Sequence, residues 1–330
     1  MSHTPKLVTI FGGSGFVGRY IARRMAKEGW RVRVAVRRPN EAIFVKTYGT
    51  VGQVEPILAN VRDDASVQAA CEGADAVVNC VGTFDKAGRN DFKAVHVSGA
   101  ERIARMAKAA GASQLVHISA IGADVDAASE YGRTKAAGEA LAKKAFPRIV
   151  ILRPSIVFGV EDNFFNRFAK MASITPIIPL VGGDSKFQPV YVDDVAKAAV
   201  VGVLGQAPAG VYELGGPDTE TFAALVDRML ACIRRKRLKI NVPFFAASLK
   251  AKALDLIFAM TKGLFKNTIL TADQVQQLRS DNVVASRAKG FANLGIEPVA
   301  MDAVLDSYLY CYRPYGQYAE LTESGKNLSI

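Results

Sequence analysis

A glycine-rich turn near the amino terminus restricts what this chain of 330 residues can fold into. Residues 9–20 read TIFGGSGFVGRY, an apolar strand that leads through glycines into a helical pattern. Gly12, Gly15 and Gly18 fit G-x-x-G-x-x-G, and Gly13, Gly15 and Gly18 fit G-x-G-x-x-G. Such a turn brings backbone N–H groups and a helix N-terminus together, where a pyrophosphate can bind. Because similar turns also occur as plain connections, the motif needs support from elsewhere in the chain.

The residues that follow complete a strand–helix–strand unit of the expected size. A helix predicted over 16–28 ends at Gly29, and the apolar strand Arg31–Val36 comes next. NAD-binding proteins carry an acid about 20 residues beyond the glycines, for the ribose 2′-hydroxyl. This chain has Arg37 and Arg38 there, and guanidinium groups bind a phosphate bidentately. We therefore predict NADP(H) rather than NAD(H); the alternative is a pair of ordinary solvated arginines.

The charge balance and the cysteines narrow the class of protein. The chain has 42 basic and 31 acidic side chains, a net charge of +11, which favours anionic partners such as a dinucleotide, an acidic protein or anionic lipid. No nucleic-acid-binding signature is visible. Cysteines 71, 80, 232 and 311 form no C-x-x-C pair, so neither zinc nor a disulfide framework is indicated. The sequence predicts no signal peptide and no transmembrane helix.

Short apolar runs alternate with helical patterns as far as residue 158. Runs of this kind are typical of strands buried on both faces of a parallel sheet. We predict an α/β fold: a Rossmann-like doubly wound parallel sheet in a dinucleotide-binding domain of residues 1–158, then an interleaved, smaller mixed α/β cap and C-terminal partner- or membrane-facing region at 159–330. One long helix is expected at 94–110. The predicted strands are Leu7–Phe11, Arg31–Val36, Val54–Leu58, 76–80, Gln114–Ile118 and 149–152.

Two loops follow predicted strands at the edge of the sheet where ligands bind in such folds. Asn60 and Val61 follow the third strand, where they can line an adenine ring. Val81 and Gly82 follow the fourth, where a small residue lets the backbone approach a cofactor. Both segments can equally be ordinary turns between a strand and a helix.

Tyr131 and Lys135 form Y-x-x-x-K within a helical pattern, so they share one helix face. An ammonium beside a phenol lowers the pKa of the phenol and can also hold a nicotinamide ribose. This pair is the candidate for proton exchange with a hydroxyl or carbonyl during hydride transfer. The position just past 115–119 gives the pair more weight than its spacing alone.

Taken in order, these motifs resemble the extended and atypical short-chain dehydrogenase/reductase superfamily of the epimerase/dehydratase kind. The resemblance spans 7–194 and includes the segments 152–159 and 191–195. It implies that Pro154 and Ser155 contact the nicotinamide. The predicted cofactor contacts are Gly12, Gly13, Ser14, Gly15, Phe16, Val17, Gly18, Arg37, Arg38, Asn60, Val61, Val81, Gly82, Ser119, Tyr131, Lys135, Pro154 and Ser155, and the catalytic candidates are Tyr131 and Lys135, which can also serve only to hold the cofactor.

One position departs from that superfamily. Its active members carry a catalytic Ser or Thr about two residues beyond the position of Ser119, and this chain has Ile121 there. Ile121 cannot polarise a carbonyl, and losing an oriented donor of this kind costs roughly two to three orders of magnitude in rate. The Tyr131–Lys135 pair would still hold a cofactor. We therefore expect little or no independent catalysis.

Longer strings resemble the nucleotide-binding accessory subunits of respiratory complex I over most of the chain, less so after about residue 238. They are 9–20, 129–139, 158–166 and 188–195. The resemblance implies a tightly held, structural NADPH and partners among the complex I subunits of the peripheral arm. The lack of an import presequence suits a bacterial form, located peripherally on the cytoplasmic side of the inner membrane.

Residues 244–266 place lysines among bulky apolar residues. Phe245, Leu249, Leu256 and Met260 can share one helix face. Such a segment can lie on an anionic membrane, dock in a partner's groove, or cover the protein's own core.

Two other functions remain open at this stage. One is a soluble nucleotide-sugar epimerase, dehydratase or carbonyl reductase, and the other is a redox-sensing regulator of the same fold. His3, His96 and His117 form no triad with Ser and Asp, and we interpret them as a tail residue, a helix residue and a packed strand residue. No metal site is indicated.

Overall fold

The computed structural model describes residues 5–84, 88–249, 251, 271–318, 321–322 and 324. The chain forms two compact units. The first contains Met1–Ser155, Val192–Gly215 and Val284–Glu297, and the second contains Ile156–Tyr191, Gly216–Val283 and Pro298–Ile330. The chain thus returns to the first unit twice after leaving it.

The strands and helices are numbered in chain order. The strands are β1 Leu7–Phe11, β2 Arg31–Val36, β3 Val54–Leu58, β4 Ala76–Asn79, β5 Gln114–Ile118, β6 Val150–Pro154, β7 Val157–Phe158, β8 Ile177–Val181, β9 Lys186–Phe187, β10 Val190–Tyr191, β11 Gly210–Leu214, β12 Glu220–Thr221 and β13 Leu238–Val242. The helices are α1 Phe16–Lys27, α2 Asp64–Cys71, α3 Ala100–Ala109, α4 Glu130–Ala145, α5 Phe165–Ile174, α6 Val192–Val203, α7 Phe222–Cys232, α8 Ala272–Gln277 and α9 Asp302–Leu309.

A seven-stranded parallel sheet forms the centre of the first unit. Its order is β11-β6-β5-β4-β1-β2-β3, and all neighbouring strands are parallel. The predicted doubly wound fold is confirmed. Four of the six predicted strands have the expected bounds, β4 ends one residue early, and β6 begins one residue late and runs on to Pro154.

The sheet is covered on both faces, as its apolar runs predict. All five residues of β1 are buried. On one face, Val77, Leu115 and Ile151 pack with Ile103 of α3. On the other, α6 approaches β5 so closely that a Cβ on Gly202 would lie 2.8 Å from Val116. Because all the strands are parallel, their carboxyl ends lie at one edge of this well-packed sheet. The loops predicted to bind a ligand follow the strands at that edge.

The helix predicted at 94–110 is divided in the structure. Residues Lys93–Gly99 form a wider, π-type helical segment that continues into α3. The neighbouring helix α4 packs tightly here, since a Cβ on Gly138 would lie 1.9 Å from the His96 carbonyl oxygen. The wider segment places the His96 side chain in a buried position, which a simple helical reading did not predict.

The second unit has its own core, formed mainly by α5, α7 and α9. Phe158, Phe165, Phe222 and Leu305 belong to it. The parallel pair β8–β13 turns Ile178 and Leu180 into this core. On its other face, side chains stay exposed: Ile177, Leu238 and Ile240 are 42%, 62% and 44% exposed.

Residue 250 and residues 252–266, which are most of the amphipathic segment predicted at 244–266, lie outside the described residues. Of its described part, Phe244 lies beneath the Arg279 guanidinium at 4.8 Å, while Phe245 and Leu249 are exposed. The three interpretations of this segment stay predictions. Among the described residues, no helix has the length and apolar character needed to cross a membrane.

Candidate functional site

The glycine turn, residues 12–18, has the tight geometry that its sequence predicts. Gly12 adopts a positive φ of 74°, and its N–H donates to Ala35 O over 2.9 Å. A Cβ at Gly18 would lie 2.4 Å from Gly12 O, so α1 packs directly against the turn. Side chains larger than hydrogen are therefore excluded where the helix meets the strand.

Helix α1 begins without a side-chain acceptor for its free N–H groups. Its N-cap is Gly15, which makes no side-chain hydrogen bond, and its first turn, from Phe16 through Val17 and Gly18, contains no acidic residue. Gly15 is exposed and Ser14 half-buried. Free N–H groups at the positive end of a 12-residue helix can bind an anion such as a pyrophosphate.

Arg37 and Arg38, the residues predicted to bind a 2′-phosphate, are exposed just after β2. Arg38 Nη1 lies 3.0 Å from Glu41 Oε1, which offers Arg38 a competing partner. Arg37 is exposed beside it. The preference for NADP(H) over NAD(H) stays a prediction.

The loop after β3 is held mainly by its own contacts. Asn60 N–H donates to Ser66 Oγ over 2.9 Å, and Asn60 Oδ1 accepts from Arg62 N–H. Val61 is buried. Contact of either residue with an adenine ring stays a prediction.

The loop after β4 runs beside the buried lysine of α4. Val81 N–H donates to Asn79 Oδ1 over 3.0 Å. A Cβ built on Gly82 would lie 3.9 Å from Lys135 Nζ and 4.0 Å from His96 Nε2. The main chain at Gly82 therefore passes close to Lys135 and His96, and its approach to a cofactor stays a prediction.

Helix α4 carries both members of the Tyr131–Lys135 pair. It begins after Ser129, whose Oγ accepts from Gly132 N–H. Lys135 is buried, its Nζ donates to Ile118 O over 3.3 Å, and it lies 5.8 Å from the Tyr131 ring centroid. The helical spacing thus brings the two side chains together, against the carboxyl end of β5.

Burial dominates the electrostatics of this pair. It lowers the pKa of Lys135 to about 8, although Glu139 and Cys80 act in the opposite direction. It raises the pKa of Tyr131 above its ordinary value. The prediction that the ammonium lowers the pKa of the phenol is wrong for the free protein, because the cost of burying a phenolate is the larger effect.

Aromatic rings surround the Tyr131 side chain. Phe84 stacks on it with centroids 5.3 Å apart and an interplanar angle of 12°. Phe92 and His96 meet it edge-on at 6.0 and 5.3 Å. These three neighbours, which sequence reasoning missed, account for the burial that raises the pKa of Tyr131.

His96 links the β4 loop to α4. Its Nε2 accepts from Thr83 N–H over 3.1 Å, and its Nδ1 lies 3.2 Å from Thr134 Oγ1. Because Nε2 accepts, we assign the proton to Nδ1. Burial and the nearby Lys135 charge lower the pKa of His96 to about 3, so the ring is neutral.

His117 and Ser119 add buried polar groups that the sequence did not point to as a cluster. Asn79 Nδ2 lies 3.0 Å from His117 Nδ1, and burial lowers the pKa of His117 to about 3. Among the described residues, His117 Nε2 and Ser119 Oγ have no hydrogen-bond partner. A possible signal was present: polar residues end two buried strands, and 117 and 119 alternate onto one face. We call Asn79, His96, His117, Ser119, Tyr131 and Lys135 the Lys135 cluster.

The end of β6 completes the site in the first unit. Pro154 O accepts from Ile121 N–H over 3.0 Å, and Ser155 N–H donates to Leu214 O over 2.9 Å. Ile121 is half-buried and Ser155 buried. The position expected to carry a catalytic hydroxyl is therefore an apolar side chain fixed by a backbone hydrogen bond. In the described part of the chain, no cluster of His, Cys, Asp and Glu is suited to a metal ion.

These features fit a dinucleotide. The uncapped helix N-terminus and the glycine turn suit its pyrophosphate, and the donor-rich Lys135 cluster suits ribose hydroxyl oxygens.

Comparison with known proteins agrees with this geometry. Residues 8–215 match the family described as NAD dependent epimerase/dehydratase. The chain is 34% identical over 328 residues to NADH dehydrogenase (ubiquinone) 1 alpha subcomplex subunit 9, mitochondrial, of Arabidopsis thaliana, across 97% of this chain and 81% of that protein. It is 32% identical over 311 residues to the mitochondrial NADH-ubiquinone oxidoreductase 40 kDa subunit of Neurospora crassa, across 94% and 80%. Among solved structures, the Bordetella bronchiseptica enzyme WbmG in complex with NAD and UDP matches with a TM-score of 0.70 at 16% identity, over 96% of both chains. The chain therefore belongs to the NAD dependent epimerase/dehydratase family.

Proposed function

We propose that this chain is an NADP(H)-binding accessory subunit of respiratory complex I, in which the dinucleotide is held rather than turned over. The observation that carries the proposal is the half-buried Ile121 at the position where the resemblance implies a catalytic hydroxyl, in a chain that also has the glycine turn and Lys135. The assignment to the complex comes from the names of two relatives. The Arabidopsis relative is named as a subunit of NADH dehydrogenase (ubiquinone), and the Neurospora relative as a subunit of NADH-ubiquinone oxidoreductase.

Each part of the site has a holding role in this proposal. The turn and the α1 N-terminus hold the pyrophosphate, Arg37 and Arg38 hold the 2′-phosphate, and Lys135 and Tyr131 hold the nicotinamide ribose. A bound nicotinamide would supply hydride chemistry. Burial keeps Tyr131 protonated, and Ile121 offers no hydrogen bond to a substrate oxygen. The bound cofactor then stabilises the folded state by mass action, by about 2.7 kcal/mol at a hundredfold excess over its Kd.

The second unit supports assembly with other proteins. Parallel strands are normally covered on both faces, yet β8–β13 exposes Ile177, Leu238 and Ile240. Exposed apolar faces of this kind mark contacts with other molecules. We place the chain peripherally at the inner membrane, on the cytoplasmic side in a bacterial form, with peripheral-arm subunits as partners.

Purification from native membranes in mild detergent tests the assembly. We expect tagged chain to co-purify with NADH dehydrogenase subunits and to release NADPH on denaturation. Ile240→Lys should reduce the co-purification, whereas Val160→Lys, at another exposed apolar position of the second unit, should not. A lone cytosolic oligomer would refute the assignment to a complex.

Turnover separates this proposal from a soluble reductase or epimerase. The isolated chain should bind NADPH without sustained oxidation in the presence of small carbonyl compounds or nucleotide sugars. Steady conversion of either would overturn the structural role of the cofactor.

Calorimetric titration with NADPH and NADH tests the choice of dinucleotide. Wild-type protein should bind NADPH more tightly, and Arg37→Asp should reverse or remove the difference, because a carboxylate repels the 2′-phosphate. Equal affinities in the wild type would refute the preference.

A further inference from the structure

Two buried polar atoms at the carboxyl end of β5 lack partners. His117 and Ser119 are 3% and 4% exposed, and His117 Nε2 and Ser119 Oγ make no hydrogen bond within the described part of the chain. Leaving such a group unsatisfied costs more than most single hydrogen bonds contribute. Buried polar atoms without protein partners are commonly satisfied by an internal water or a ligand.

The Asn79 side chain fixes which group His117 presents. Asn79 Oδ1 accepts from the Val81 N–H, so its amide nitrogen donates to His117 Nδ1. The proton of the neutral ring therefore lies on Nε2. His117 thus presents a donor, not an acceptor, at its buried Nε2.

Lys135 lies over the same stretch of strand. Its Nζ donates to Ile118 O, the carbonyl between His117 and Ser119. Because alternate residues of a strand share a face, His117 and Ser119 flank that carbonyl on the side of α4. The Lys135 charge also acts on His117. An ammonium, an imidazole N–H and a hydroxyl are therefore buried around the carboxyl end of β5.

Like donors cannot satisfy one another, so the arrangement requires an acceptor between them. We propose that one water molecule binds in this buried site, between His117 Nε2, Ser119 Oγ and Lys135 Nζ, and that His117 is thereby a positioning residue for the Lys135 ammonium. The water accepts from His117 and Lys135 and donates to Ser119. It meets the usual requirement of about three polar partners for an internal water.

The water changes how the ammonium titrates. An acceptor at Nζ favours the charged form of Lys135, whereas a bare Nε2–H dipole pointing at the ammonium disfavours it. The other titratable or charged groups around Lys135 are Tyr131 and Glu139 of α4, Cys80 after β4, His96 of 93–99, and Arg153 of β6, which pairs with Glu139.

The sign of one pKa change tests the proposal. The Lys135 side chain can be titrated by NMR of ¹³Cε-lysine, with its signal assigned from the Lys135→Arg variant. His117→Phe removes the donor but keeps a ring, and we expect the pKa of Lys135 to fall by about one. Without a bridging water, loss of the opposing N–H dipole would raise that pKa or leave it unchanged, and either result overturns the proposal.

Three further variants separate this effect from general damage to the fold. Ser119→Ala removes only the third partner of the water, so the pKa of Lys135 should fall by less than in His117→Phe. His117→Gln restores an N–H donor and should recover much of the change. Thr9→Val deletes a buried hydroxyl that donates to Ala70 O of α2, and should leave the Lys135 titration unaltered. A shift in Thr9→Val as large as in His117→Phe would contradict the local explanation.

The consequence for ligand binding rests on the proposed function. If Lys135 holds a ribose, His117→Phe should bind NADPH roughly fivefold more weakly than wild type at pH 8 and almost equally at pH 6, where Lys135 is charged in both. Failure of NADPH to bind any variant would refute the cofactor role while the NMR titration still decides the water site. A high-resolution crystal structure without a water oxygen near His117 Nε2 would overturn the water site alone.

Discussion

The glycine turn and the Lys135 cluster are built in opposite ways although both lie in the first unit. The turn depends on its backbone: Gly12 has a positive φ, Gly18 leaves no room for a Cβ, and α1 starts without a side-chain cap. The Lys135 cluster works through side chains from four separate elements, and burial governs their protonation. From this difference we expect that substitutions which add a side chain will disrupt the turn, whereas the properties of the cluster will change with the charge of its side chains and with pH.

The largest effect on stability is expected when a single methyl group is added to the glycine turn. In Gly18→Ala, the new Cβ would lie 2.4 Å from Gly12 O and 2.7 Å from Gly13 Cα, both backbone atoms that cannot move aside cheaply. We expect a loss of about 3 kcal/mol in the free energy of unfolding, measured by urea denaturation, because overpacking forces the backbone to shift.

Gly73→Ala is the matched control. Gly73 has a φ of 67° but no atom within 4 Å of an added Cβ, so only left-handed strain remains. We expect about 1 kcal/mol there. If the two substitutions cost the same, close packing is not what the glycine at 18 provides.

Lys135→Met should separate binding from stability. The ammonium is buried, so removing it should leave the free energy of unfolding within about 1 kcal/mol of wild type. Dinucleotide affinity should fall about 10- to 100-fold, the value of one charge-assisted hydrogen bond. Calorimetric titration measures this, with Lys143→Met on the exposed face of α4 as control. Unchanged affinity in Lys135→Met would remove the cluster from the cofactor site.

The same contrast explains how far sequence reasoning reached. The turn lies within seven consecutive residues, and the strands around it are continuous apolar runs, so local pattern was sufficient. Asn79, His96 and His117 come from separate elements, and only the strand pairing Asn79↔His117 and the contact of α4 with 93–99 bring them to Lys135. No spacing in the sequence encodes that meeting.

The pKa of Tyr131 was mispredicted for a related reason. The spacing of Tyr131 and Lys135 specified a charge near the phenol, but the rings of Phe84 and Phe92 specified its burial, and the second effect is larger. A pair of residues can be predicted from its spacing. The dielectric around it depends on the packing of the whole unit.

The two buried histidines of the Lys135 cluster, His96 and His117, should make the free energy of unfolding depend on pH. Burial lowers the pKa of His96 to about 3, below the unfolded value of 6.5, so the unfolded state takes up the proton first. The free energy of unfolding should therefore fall as pH drops below 6.5, by up to about 1.4 kcal/mol per pH unit for each such histidine. His117 contributes in the same direction.

Denaturant titrations of wild type and His96→Gln between pH 7.5 and 4 check this expectation. The variant should show a shallower dependence below pH 6.5, by at most one proton, and the same dependence as wild type above pH 7. Identical slopes at acidic pH would mean that His96 is not held neutral in the folded state.

The smallest effect on stability is expected at the exposed ion pair after β2. Arg38 and Glu41 are 75% and 67% exposed, and an exposed ion pair contributes between about 0 and 1 kcal/mol. Arg38→Ala should therefore leave the urea midpoint nearly unchanged. The substitution should nevertheless weaken the binding of NADPH more than the binding of NADH in calorimetric titration, because only NADPH has a 2′-phosphate that the guanidinium can bind. Glu41→Ala frees Arg38 from its competing partner and should act in the opposite direction. If each variant changed the affinities for NADPH and NADH equally, Arg38 would contribute to dinucleotide binding in general and would not determine the choice between the two cofactors.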